Sequence, residues 1–179
     1  MIHEARIRTK RLLLRPLTVS DADEVWEWVS DERVAQYMVY PVYIQKEKVK
    51  EWLLSLRSEE QSVRERHFHF GFERISDGKL IGSGDIGIEK NGDCWGFGYN
   101  FRHDCWGMGY ATEAVRAMME FAHDEYGAVR FASSCCEPNR ASAHVMEKCG
   151  LHFAEYGLFQ KLDGSCPMRS MRYEGEYGG

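Results

Sequence analysis

Gly107 and Gly109 lie at the junction of an alternating, strand-like run and an amphipathic helical run, in the segment Trp106-Gly107-Met108-Gly109-Tyr110-Ala111-Thr112-Glu113-Ala114. A strand-to-helix turn with alternating glycines leaves few architectures open. Lacking a Cβ, both glycines can take positive φ and bring their N–H groups up to an anion. The helix beyond directs its unpaired first-turn amides, and the positive end of its dipole, to the same place. A second helix start follows at Pro138-Asn139-Arg140-Ala141-Ser142. Two such sites in this order predict an extended, pyrophosphate-bearing ligand rather than a lone phosphate.

The rest of the chain supplies a sheet for that junction. Arg11-Leu12-Leu13-Leu14-Arg15 reads as a first strand ending at Pro16. Ser20-Asp21-Ala22-Asp23 has capping-box spacing and opens a helix through Trp26 to Val29. Residues 46–60 place Val49, Leu53 and Leu56 on one helical face. Phe68, Phe70 and Phe72 then alternate with His67, His69 and Gly71 at the strand period of two. Further strands are predicted at 80–88, 94–101, 129–136, 152–159 and 168–174, with an Asn91-Gly92 hairpin signal. The helix from Tyr110 to Tyr126 carries its apolar stripe at Ala111, Ala114, Val115, Met118 and Ala122, and Gly127 closes it. In the second helix the expected stripe is Ala141, Val145, Met146 and Cys149. This order predicts one mixed α/β (α+β) domain over residues 1–179, built on a single sheet and not doubly wound. Gly82-Ser83-Gly84-Asp85-Ile86-Gly87 matches G-x-G-x-x-G, but no helix follows it, so these glycines are read as thinning a strand against close neighbours.

Composition narrows the function. Twenty-three basic against 28 acidic residues, a net charge of −5, argue against a nucleic-acid footprint and leave room for a cationic or amine substrate. No apolar run has membrane-spanning length, and Met1–Arg6 lacks a signal-peptide apolar region, so a cytoplasmic location is expected. The six cysteines have no C-x-x-C spacing and are read as reduced thiols. His67 and His69 share a strand face without a third ligand in view, so no metal is assigned. A P-loop kinase is excluded because no Lys-Ser/Thr follows the glycines.

At this point the residues resemble a known family. Thr9-Lys10-Arg11-Leu12-Leu13-Leu14-Arg15-Pro16-Leu17, Asp31-Glu32-Arg33-Val34 with Tyr37-Met38, the Trp106–Ala114 run, and Asn139-Arg140-Ala141-Ser142 with Glu147-Lys148-Cys149-Gly150-Leu151 stand in the order and spacing of the GNAT acyltransferase superfamily. The likeness is to its branch of ribosomal-protein N-terminal (serine/alanine) acetyltransferases. It implies a single central, mostly antiparallel sheet flanked by helices, and acetyl-CoA as co-substrate without a metal.

The resemblance also assigns residues. In the superfamily a Q/R-x-x-G-x-G/A loop holds the pyrophosphate through backbone amides. Gly109 and Ala111 fill its last two marked positions, which makes the amides of Gly107, Met108, Gly109, Tyr110, Ala111 and Thr112 the candidates. Trp106 holds the first position, and Met108 stands where the branch often has a basic residue. Tyr99-Asn100-Phe101 match the segment that pairs with the pantetheine arm, where a bulge would free an amide for the acetyl carbonyl. Asn139 matches a residue that contacts the arm.

Many relatives protonate the departing thiolate with a tyrosine on the second helix; Met146 stands there, and Ser142 takes that role instead. Glu137 is the candidate general base, with Asp85, Glu89 and His103 as rivals. The expected activity is acetyl transfer to a primary amine, either a protein N-terminus or a small amine metabolite. A non-catalytic acetyl-CoA sensor is the alternative. The acceptor side would be residues 20–60 and the last strands, whose aromatics Trp26, Trp28, Tyr37, Tyr40, Tyr43 and Trp52 are read mostly as packing. A free edge among the late strands would suit a homodimer.

Overall fold

A computed structural model describes residues 5–62, 66–90, 92 and 94–178, with the main chain alone at 57–62. Met1–Glu4 and Asn91, the first residue of the expected hairpin turn, lie outside the described residues; Gly92 takes a φ of 79°.

Eight strands form one sheet: β1 (Ile7–Arg8), β2 (Leu12–Arg15), β3 (His67–Arg74), β4 (Lys79–Ile88), β5 (Trp95–Phe101), β6 (Arg130–Cys136), β7 (His152–Phe159) and β8 (Met168–Glu176). Their spatial order is β1-β2-β3-β4-β5-β6-β8-β7, and every neighbouring pair is antiparallel except β5 and β6. The mixed, mostly antiparallel sheet is the architecture the sequence predicts.

Alternation along the strands sorts side chains onto two faces. On one face Phe68, Phe70, Phe72, Phe97, Phe101 and Phe131 meet helices α4 (Tyr110–Tyr126) and α5 (Arg140–Lys148) through Val115, Met118 and Met146. On the other, Leu17 and Leu80 meet α1 (Ala22–Val29), α2 (Glu32–Ala35) and α3 (Lys46–Ser62) through Val25, Trp28, Val34, Val49, Leu53 and Leu56. Trp28 is fully buried, and Trp26 and Trp52 from helices and Tyr40 and Tyr43 from the segment between α2 and α3 pack against this second core, the packing role expected of most of these aromatics.

Two local expectations shift. The capping arrangement forms two residues earlier than Ser20 to Asp23, from Thr18 to Asp21. Asp21 accepts from the Thr18 N–H at 2.7 Å and closes a 3-10 turn over Val19–Asp21 ahead of α1. The reason is Arg15, whose guanidinium takes both oxygens of Asp21 at 3.0 and 2.9 Å and draws it inward. In α5 the buried positions are Ala143 and Met146, while Ala141 is exposed. That rotation turns Ser142 partly towards the sheet. The G-x-G-x-x-G run lies wholly within β4, where a Cβ on Gly82 would come 2.3 Å from the Asn100 carbonyl oxygen. Close strand approach, not phosphate, explains that glycine.

Candidate active site

The site is made by a divergence. β5 pairs with β4 along its whole length, but with β6 only at Trp95–Phe131 and Gly96–Ala132. Beyond those residues the two parallel strands separate, and a crevice opens at their carboxyl ends, the usual place for ligands where parallel strands part.

Strand geometry identifies what faces the crevice. Arg102 N–H donates to Ile81 O at 2.8 Å and Glu89 N–H donates to Cys94 O at 2.8 Å, so even-numbered β5 residues aim their main-chain groups at β4. Odd-numbered residues aim theirs at β6. The Phe97 carbonyl accepts from Ser133 Oγ at 2.7 Å, and the Phe101 carbonyl accepts from Trp106 Nε1 at 2.8 Å. Between them the Tyr99 amide and carbonyl look into the crevice. The register of β5 with β4 is unbroken from Trp95 to Phe101, so the opening beside this amide comes from the departure of β6 rather than from the expected bulge.

The glycine turn stands at the mouth of the crevice. Gly107 and Gly109 have φ of 74° and 79°, and Gly109 is the N-cap of α4 without a side-chain cap bond. The residues from Trp106 to Gly109 are exposed, and a Cβ built on Gly107 would meet nothing within 4 Å. The turn therefore presents main-chain amides and a helix N-terminus to open space, as a pyrophosphate cradle requires. Ala111 and Thr112 lie in the first turn of α4, where amides have no helical acceptor. The ring of Tyr110 stacks on Phe101 at 6.4 Å between centroids, fixing the turn to the end of β5.

Across the crevice, α5 begins at Asn139, whose side chain accepts from Ser142 N–H at 3.2 Å and so caps the helix. Ser142 Oγ and the Tyr99 hydroxyl are 2.8 Å apart, and the same hydroxyl lies 3.3 Å from the Ser142 carbonyl. Burial pushes the Tyr99 phenol pKa up, against a smaller lowering from Ser142, so the phenol stays protonated at neutral pH. Met146 of α5 is fully buried, and the tyrosine hydroxyl beside Ser142 comes from β5. No local sequence signal shows this, because Tyr99 and Ser142 are 43 residues apart.

Glu137 is less suited to its expected role. It follows β6, but its two oxygens accept from Arg169 Nε and Nη2 at 2.8 and 2.6 Å. Those hydrogen bonds hold its carboxyl below the ordinary range, which weakens it as a proton acceptor. Among the described residues its hydrogen bonds go to the Arg169 side chain and carbonyl, and none joins it to Tyr99 or Ser142. His103 is exposed, in the turn after β5, with its ring 4.8 Å from that of Trp106.

A clamp of three residues escapes sequence reasoning. Glu113 in α4 accepts from Thr9 Oγ1 at 2.6 Å, from Arg11 N–H at 2.8 Å and from Arg11 Nε at 2.6 Å. Arg11 also donates to the Met108 carbonyl at 2.8 Å and lies 4.4 Å above the Tyr110 ring. A guanidinium from the β1–β2 turn thus reaches the Met108 position.

The family model for the acetyltransferase (GNAT) domain matches residues 11–152. The chain belongs to the GNAT acetyltransferase family. It is 28% identical over 158 residues to a Bacillus subtilis (strain 168) protein named probable N-acetyltransferase YjcK, covering 82% of this chain and 83% of that one. A GNAT-family acetyltransferase from Bacillus anthracis superposes with a TM-score of 0.82 at 22% identity, over 98% of this chain and 100% of that one. RimL, described as a ribosomal L7/L12 alpha-N-protein acetyltransferase in complex with coenzyme A, superposes with a TM-score of 0.79 at 17% identity, over 96% and 98% of the two chains. As a GNAT enzyme the protein is an acetyl-CoA-dependent N-acetyltransferase.

Proposed function

We propose that the protein acetylates a protein N-terminal amine. The observation that carries acetyl transfer in this reading is the Tyr99–Ser142 hydroxyl pair, 2.8 Å apart, at the crevice where β6 leaves β5. The activity that RimL is named for supports an N-terminal amine as acceptor.

Bound acetyl-CoA supplies an activated thioester. The amides of Gly107 to Thr112 would hold its pyrophosphate, and the Tyr99 main chain would pair with its pantetheine arm. The Tyr99 N–H is then the donor for the acetyl oxygen as negative charge develops there. Ser142 Oγ, backed by the protonated Tyr99 phenol, delivers a proton to the departing sulfur. Holding both reactants in one crevice contributes much of the acceleration.

The test is mass-spectrometric detection of acetylated product from acetyl-CoA and a pool of serine- and alanine-initiated peptides, polyamines and aminoglycosides. Acetylated peptide is the expected product. Product confined to polyamines or aminoglycosides moves the acceptor to small amines, and bound acetyl-CoA without any product makes the protein a sensor.

A further inference from the structure

The two faces of β5 differ in a way that the acetyl-CoA crevice does not use. Phe97, Tyr99 and Phe101 point to α4 and α5, whereas Gly96, Gly98 and Asn100 point to the opposite face. There two carboxylates lean over the bare main chain. A Cβ on Gly98 would come 3.0 Å from Asp85 Oδ1, and one on Gly96 would come 3.3 Å from Glu89 Oε1. Glu89 is committed: Arg172 Nη1 and Nη2 donate to its two oxygens at 3.0 and 2.8 Å. Asp85 is arranged differently. Its Oδ2 is 3.0 Å from His67 Nε2, while Oδ1 faces Gly98, the neighbour of Tyr99 in β5.

We propose that Asp85 is the proton acceptor for the attacking amine and that His67 passes the proton on to water. This rests on the acetyltransferase reading given above. With the thioester in the β5–β6 crevice, α4 and α5 cover one side, and the glycine-floored face beside Asp85 is the open approach for an amine. Asp85 pairs with Gly98 across the β4–β5 ladder, one residue from the amide that faces the acetyl oxygen. The side chains of Asp85 and His67 are 40% and 47% exposed, which gives the proton a route out. Among the described residues, the charged or titratable groups on this face include His67 and His69 from β3, Asp85 and Glu89 from β4, Arg102 at the end of β5, Arg130 from β6, and Arg172 and Glu174 from β8. His69 stacks on His67 at 4.7 Å between ring centroids.

The step balances. The amine nitrogen bonds to the acetyl carbon and the carbon–sulfur bond breaks. An ammonium acceptor gives up two protons overall: one equals the proton the sulfur gains, and the other leaves through Asp85 and His67 to water. No oxidant or reductant is involved.

The test compares wild type with Asp85→Asn and His67→Gln on two acceptors, a serine-initiated peptide and methoxyamine, whose weakly basic nitrogen is already neutral at neutral pH. Asp85→Asn is expected to lower kcat on the peptide about 100-fold, the low end for loss of a positioned acid or base. Its loss on methoxyamine should be much smaller, and His67→Gln should fall between wild type and Asp85→Asn. Acetyl-CoA binding, read by calorimetry, should stay within about twofold, since the side chain lies off the cofactor side of β5. A readout independent of turnover is the His67 imidazole titration by NMR, which should move to lower pH when the facing carboxylate is removed. Wild-type kcat on the peptide in Asp85→Asn, or equal losses on both acceptors, would overturn the assignment while leaving the acetyltransferase reading intact. Wild-type protein that acetylates neither acceptor overturns both.

Discussion

Arg11 and Glu113, 102 residues apart, meet at 2.6 Å and tie the β1–β2 turn to the first turn of the helix behind the glycine loop. Burial tends to raise the Glu113 carboxyl pKa, but hydrogen bonds from Thr9 and Arg11 outweigh it and keep the group ionised below its ordinary range. Arg11 also holds the Met108 carbonyl, so one guanidinium fixes both the loop and the helix it opens.

Arg11→Met should therefore act on the pyrophosphate end of the cofactor. Hydrogen bonds to charged groups contribute about 1.5–3 kcal/mol, so a loss of roughly tenfold or more in CoA affinity is expected by calorimetry. Turnover with acetyl-pantetheine, which has no pyrophosphate, should change little. Equal losses on acetyl-CoA and acetyl-pantetheine would show that the clamp supports the whole fold rather than the loop.

Ser142→Ala removes the hydroxyl beside the departing sulfur and leaves the Asn139 cap bond, which uses the Ser142 main-chain N–H. Turnover should drop about 100-fold, with acetyl-CoA affinity nearly unchanged. Tyr99→Phe should lose less, because Ser142 keeps its own proton. Unchanged turnover in Ser142→Ala would remove the serine from the mechanism.

How much of this was legible depends on the range of the interaction. Strands and helices follow from period-two and helical patterns, so β3, α4 and the Gly107–Gly109 turn could be read directly. Residues 139–142 also announce a helix start, because the cap is local. The Arg11–Glu113 clamp and the Tyr99–Ser142 pair join segments distant in sequence, and neither end carries a pattern that names its partner. Divergence of β6 from β5 is likewise a property of the sheet, so the Tyr99 amide was expected from a bulge that does not form. Capping at Thr18 and Asp21 was misplaced because Arg15 competes for Asp21, a pull the capping-box pattern does not encode.

That Arg15–Asp21 pair makes a pH prediction. Burial raises the Asp21 carboxyl, but hydrogen bonds from Arg15 and Thr18 outweigh it, so its folded pKa lies below the ordinary value. The folded state then binds this proton more weakly than the unfolded chain, whose aspartates titrate near about 3.9. Stability from the pair is fully present above that value and is lost as pH falls through the lower folded pKa. Asp21→Asn should cost roughly 3 kcal/mol, the lower end for breaking a buried pair, because Glu73 still accepts from Arg15 at 2.7 Å. Urea unfolding at pH 7 should show this loss, and the gap to wild type should narrow in acid.

Lys161 offers a test of how the proposed acceptor side is held. Its buried ammonium donates to the carbonyls of Ala35, Met38 and Tyr40 at 2.6, 2.9 and 3.1 Å, and Leu162 N–H donates to Val39 O at 2.8 Å. The β7–β8 connection is thereby fastened to the segment between α2 and α3. This clasp lies by the carboxyl end of β6: burial raises the Cys136 thiol pKa, and the Lys161 charge is close enough to oppose part of that rise. Arg102 joins α1 to the end of β5 through Glu27 at 2.6 Å, so both sides of the crevice mouth are anchored. Lys161→Met would leave three carbonyls without their shared donor, a cost of about 1–3 kcal/mol for the unsatisfied groups. Because the clasp touches neither the glycine turn nor Ser142, acetyl-CoA affinity should hold while KM for a peptide acceptor rises several-fold. If cofactor affinity falls in step with acceptor KM, the two sides of the crevice are mechanically coupled, and Lys161 supports the whole site rather than its acceptor wall.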